Sequence, residues 1–172
     1  MDHAPTRYRV ASTVAKIALS LFAVVVVQGI LTRYFRVFEY FDLPLIYSVY
    51  YGFTLARPGG SIAIGSTLGL LQDSLSGAAL GTNGFSKTLI AFLAAMAGSR
   101  FDVDQSLSRV LAFVLFTLLD AVLKVGLGAI GQPDGISLYG LSPGLLALSA
   151  AFNVLFGMTL FGFRSRFGHA TA

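Results

Sequence analysis

What most constrains this chain is how rarely a charge interrupts it. From Ile17 to Thr32 there is no Asp, Glu, Lys or Arg, and comparably apolar runs recur toward the C-terminus. A helix needs about 20 mostly apolar residues to cross a bilayer, with roughly 17–25 the usual range. Six runs approach that pattern: 11–31, 43–56, 61–75, 83–98, 107–130 and 141–163. The breaks between them are turn-like, at Arg57-Pro58-Gly59-Gly60, in the small-residue stretch 76–82 and at Gln132-Pro133-Asp134-Gly135. Composition closes off the soluble alternative. Charged residues make up 12% of 172, against about 25% in an ordinary soluble domain, and the mean hydropathy is +0.77. A soluble domain of about 150 residues hides only ~70% of the surface its unfolded chain exposes, so the apolar excess has to face lipid. The expected fold class is an all-α membrane protein, a six-transmembrane-helix bundle in one domain over residues 1–172. The second and third runs are short, as neighbour-shielded helices can be. The third and fourth have a re-entrant pair as their alternative.

The charges test this count independently. With six spans and both termini cytoplasmic, Arg7, Arg9, Lys16, Arg57, Arg100, Arg109, Arg164 and Arg166 lie inside and only Arg33 and Arg36 outside. Eight against two is a strong positive-inside bias. An odd number of spans would spoil it. The first run is not read as a signal peptide, because no small-residue cleavage site follows it. The pI near 9.6 and net charge of +4 come from bases spread along the chain, which suits topology rather than nucleic-acid binding. The absence of cysteine excludes disulfides and Cys-ligated metals. His3 and His169 both lie in the tails, so histidine-based metal or acid–base chemistry has little to draw on. No cofactor is expected, and no enzyme.

Gly126-Leu127-Gly128-Ala129-Ile130-Gly131 spells GxGxxG, but no strand precedes it and no acid follows Asp134, so a dinucleotide reading fails. Small-xxx-small spacings say more. Gly65/Gly69, Gly77/Gly81, Gly140/Gly144, Ala91/Ala95 and Ala147/Ala151 each put two small residues on one helix face, where backbones can approach closely. They serve either a partner helix or packing within the bundle, with Gly140/Gly144 the weakest because Pro143 intervenes. The intramembrane polar set is Asp73, Asn83, Lys87, Asp120 and Lys124, with Asn153 as an interhelical hydrogen bond. A charge at the bilayer centre costs about 2.5–3.5 kcal/mol on the mildest scale, so such residues demand partners. Asp120 and Lys124 are four apart and neutralise each other, or form a relay. Asp73 either caps the following turn or sits solvated near the interface. Lys87 either reaches Asp73 or snorkels to the surface.

One stretch is similar to a known family. Asp42-Leu43-Pro44, then Gly65…Gly69-Leu70-Leu71-Gln72-Asp73…Gly77-Ala78-Ala79-Leu80-Gly81-Thr82-Asn83…Lys87, resembles MreD, the rod-shape-determining membrane protein of bacteria. Outside 42–100 the likeness is one of hydropathy. The resemblance implies a non-enzymatic scaffold in the bacterial inner (cytoplasmic) membrane that works with MreC, a single-span protein. It also implies company with RodA, a penicillin-binding transpeptidase and MreB in wall elongation, and a fold similar to the substrate-binding subunits of energy-coupling-factor transporters. It supplies no catalytic residues. The partner face is expected to include Gly65, Gly69, Gly77, Gly81, Ala91 and Ala95. The alternative is a vitamin-binding subunit of such a transporter, with a docking face at Ala11/Ala15 and ligand contacts from Tyr47, Tyr50, Tyr51 and Tyr139. A proton-coupled carrier using Asp73, Asp120 and Lys124 lacks the broken-helix repeat such a fold wants.

Overall fold

The structure, a computed structural model, describes residues 4–35, 38, 40–77, 80–100, 105–131 and 142–167, with side chains left out at 4–14, 130, 131 and 163–167. The described residues form six helices: α1 (Ala4–Tyr34), α2 (Leu43–Leu55), α3 (Pro58–Ser76), α4 (Thr82–Arg100), α5 (Ser106–Gly131) and α6 (Pro143–Phe167). No strand occurs among them.

Local chemistry sets the boundaries. Asp42 is the N-cap of α2, its Oδ1 accepting from the Leu45 N–H, and Pro44 falls in the first turn, where its missing N–H is no loss. Ala56 closes that helix in the left-handed region at φ 45°. Pro58 opens α3 and Gly77, at φ 68°, ends it. Gly81 also has a positive φ, 100°. The expected Gly77/Gly81 helix face therefore does not exist: both glycines belong to the α3–α4 turn, where the backbone needs a conformation other residues resist.

Among the described residues, three segments are long and apolar enough to cross a membrane: Ala15–Tyr34, Ser106–Ala129 and Pro143–Gly162. They lie in α1, α5 and α6. The 13 residues of α2 reach only about 20 Å in a hydrocarbon layer ~30 Å thick, and α3 and α4 carry polar residues where a lone span would carry leucine. Protein covers most of α2 and α4 instead, while α3 lies at the edge and keeps Ile62, Leu70 and Leu75 exposed. Short α2 is the hub and touches all five others, while α4 lies against α2, α3 and α5. Then α1 packs on α2 and α3, and α6 on α2 and α5.

The core follows from that arrangement. Leu45, Ile46 and Val49 of α2 meet Ile90 of α4, Phe113 of α5 and Phe161 of α6, with Phe41 closing one end. A smaller cluster joins Leu21 and Val25 of α1 to Leu68 of α3. Gly157 makes room for the Phe113 ring, which a Cβ there would strike. The α3–α4 seam is the tightest. A Cβ on Gly69 would collide with the Asn83 backbone, and one on Gly65 with the Lys87 carbonyl and the Ala91 methyl. On α2, Gly52 lies equally close to Ala94, and Ala91, Ala94 and Ala95 are all buried. Gly65, Gly69, Ala91 and Ala95 thus face neighbours inside this chain, not an open docking surface. Ala147 and Ala151 lie exposed on α6, and Gly140 is outside the described residues.

Candidate functional site

Four ionisable side chains converge where α2 begins. Lys87 Nζ lies 2.6 Å from Asp42 Oδ2 and 3.0 Å from Asp120 Oδ1. Lys124 Nζ lies 2.9 Å from Asp42 Oδ2 and 2.7 Å from Asp120 Oδ2. The four close into a ring in which each charge has two opposite neighbours, and the net charge is zero. Lys87 is fully buried, while Lys124 keeps 33% of its side chain exposed. An isolated charge buried this way would cost several kcal/mol, and only partners on every side offset that. The ring is drawn from three elements: the α2 cap, α4 and α5.

Neutral groups extend it to the remaining helices. Ser86 Oγ donates to Asp120 Oδ1, and Asn83 Oδ1 accepts from Lys87 Nζ at 3.3 Å. Asn83 Nδ2 donates to Asp73 Oδ1 at 2.9 Å, which brings in α3. Asp73, 1% exposed, also accepts the backbone N–H of Gly81, Asn83 and Gly84 at 2.8, 3.0 and 3.0 Å. It therefore caps α4 from across the turn. From α6, Asn153 Oδ1 accepts the Asp42 N–H at 3.3 Å while its Nδ2 donates to Thr117 Oγ1 on α5 at 3.1 Å. From α1, Gln28 Nε2 donates to the carbonyls of Phe38 and Phe41, and its Oε1 accepts the Leu43 N–H. Helices α1, α4, α5 and α6 each send a polar side chain to the start of α2, and α3 joins through the Asp73–Asn83 bond.

Several sequence expectations change here. Lys87 neither reaches Asp73 directly nor snorkels, because Asp42 and Asp120 capture its ammonium group. Asp73 is the capping residue, not a solvated one. Asp120 and Lys124 pair, but as half of a larger ring. The sequence reading passed over Gln28, Ser86 and Thr117 and met Asp42 only as a helix-opening residue. Gln28 did leave a signal: an amide inside the uncharged run 17–32 wants a buried partner. Asp42 left a weaker one, since Asp73 is spent on a cap and two lysines then face one remaining acid. Tyr51 meets the rings of Tyr47 and Tyr50, and Tyr50 meets Phe161 edge-on, while Tyr139 lies outside the described residues. GxGxxG occupies the last turns of α5, with Gly126 and Gly128 facing open space.

Two cavities flank the ring and share Asp42 and Lys124. One, about 300 Å³, lies between α5 and α6 and is lined by Tyr40, Thr117, Ser149 and Asn153. The other, about 410 Å³, lies between α1 and α3. Among the described residues no group of three or more His, Cys, Asp and Glu is placed to hold a metal ion. Residues 9–167 match the family described as rod shape-determining protein MreD. No curated protein and no solved structure matches the chain.

Proposed function

The chain belongs to the MreD family of rod shape-determining proteins, and from that membership we propose that it is a non-enzymatic, multi-pass scaffold of the bacterial inner membrane. Its direct partner is an MreC-like single-span protein. Through that partner it joins RodA, a penicillin-binding transpeptidase and MreB in organising peptidoglycan synthesis along the cell body. Both termini lie in the cytoplasm, as the distribution of arginines favours.

The observation that carries this reading is where the polar chemistry goes. The buried charges and amides bind one another and the backbone, linking all six helices in one network around the start of α2. What the protein offers outward is shape: apolar faces on α1, α5 and α6, including Leu111, Leu115, Leu118 and Val122 along α5. In lipid, a second helix is recognised by close packing against such a face rather than by hydrophobic attraction. The small-residue faces of α3 and α4 are occupied, so the partner's span docks on the outer helices.

The test is a mild-detergent pull-down of tagged protein from native membranes, with partners identified by mass spectrometry. Recovery of an MreC-like single-span protein, with or without RodA, supports the scaffold. Recovery of a transmembrane coupling subunit with two ATPases instead would overturn it.

A further inference from the structure

We propose that the crevice between α1 and α3 binds a phosphate-bearing headgroup that also carries a hydroxyl or amine hydrogen-bond donor. The crevice is about 410 Å³ and is lined by Gln28, Thr32, Arg33, Asp42, Gln72 and Lys124, among others. Cavities of roughly 300–1,000 Å³ with a few convergent polar groups are the usual form of small-ligand sites.

Three observations define the ligand. The first is charge. Arg33, in the last turn of α1, forms no ion pair among the described residues, and Lys124 lines the same space. Asp42 is the one acid on the wall, and both lysines of the ring already hold it. The surplus is positive, and a guanidinium fork matches phosphate oxygens two at a time. The second is an unfilled acceptor. Gln72 Oε1 is buried with no hydrogen-bond partner among the described residues, a condition native proteins seldom leave uncorrected because it forfeits the desolvation cost of the group. A carboxylate or a phosphodiester group alone cannot satisfy it, whereas a hydroxyl or ammonium can. The third is the rim. Leu75 on the crevice wall is 52% exposed, which gives an acyl chain an apolar path, and Gly29 leaves open space where a side chain would intrude. Thr32 donates its hydroxyl back to the carbonyls of Gln28 and Gly29 and so does not compete for the acceptor.

Purified protein in maltoside micelles would be titrated with short-chain phosphatidylglycerol, phosphatidylethanolamine and phosphatidylcholine, and with glycerol 3-phosphate, reading bound ligand by native mass spectrometry. The first two lipids carry phosphate and donor, and phosphatidylcholine carries phosphate alone. Losing one charged hydrogen bond weakens binding about tenfold, so Arg33→Gln should weaken phosphatidylglycerol by about that factor. Gln72→Leu should erase the preference over phosphatidylcholine. Neither variant removes a partner that the folded chain uses, so both should melt with the wild type, separating lost binding from lost fold. Glycerol 3-phosphate binding as tightly as the lipid would keep the site and make its ligand a soluble phosphate ester. Equal affinity for phosphatidylcholine, or variants that bind like wild type, would overturn the proposal.

Discussion

The Asp73 carboxylate holds three backbone N–H groups and one side-chain amide at once, so the start of α4 depends on a residue of α3. Changing Asp73 to Asn sets an amide N–H₂ where one of those oxygens now accepts. At least one buried backbone donor then loses its acceptor, a loss of about 1–3 kcal/mol. Melting followed by circular dichroism in mild detergent should fall accordingly, and an unchanged transition would remove Asp73 from this role. At this scale the sequence was half legible. Asp73, Asn83, Lys87, Asp120 and Lys124 announce themselves because ionisable and amide groups are expensive in an apolar run. Their mutual arrangement does not, because the bonds from Asp42 to Lys87 and Lys124 bridge 45 and 82 positions, and only tertiary packing brings them together.

Between helices, glycine identity matters by location rather than by motif. Gly69→Ala drives a methyl into the Asn83 backbone, which cannot retreat as a flexible side chain would. It should cost about 1–3 kcal/mol, the usual range for overpacking. Gly128→Ala meets open space and removes a helix-interior glycine, so it should be neutral or stabilise by about 0.5–1 kcal/mol. Gly77→Ala lies between the two, straining a left-handed backbone without a clash. Parallel melts of the three variants give the order, and equal melting of Gly69→Ala and Gly128→Ala would refute the close α3–α4 seam. Six helices follow the six apolar runs in order, with ends within four residues except that α1 begins seven residues before its run, since proline, glycine and Asp42 mark several ends locally. The same Gly-x-x-x-Gly spelling at 65/69 and 77/81 gave no hint that only the first is helical, because that depends on where α3 stops.

Taken as a whole, the molecule wraps α2 and α4 in its other helices, and the proposed orientation rests on its arginines. The sequence contains no cysteine, so single-cysteine reporters can be read without background. Leu80→Cys should react with a membrane-impermeant maleimide added outside spheroplasts, and Arg57→Cys only after lysis. The reverse pattern would invert the topology. The central claim is that the Asp42–Lys87–Asp120–Lys124 ring is a structural keystone and not a relay. Its most direct test is a double-mutant cycle of thermal unfolding in mild detergent with Lys87→Met, Asp120→Asn and the two combined. Each single change strands a buried charge and should cost about 3–5 kcal/mol. The double variant leaves the neutral Asp42–Lys124 pair and should lose clearly less than the sum of the two. Single variants that melt with the wild type while cells lose their rod shape would contradict the claim and make the ring a working part.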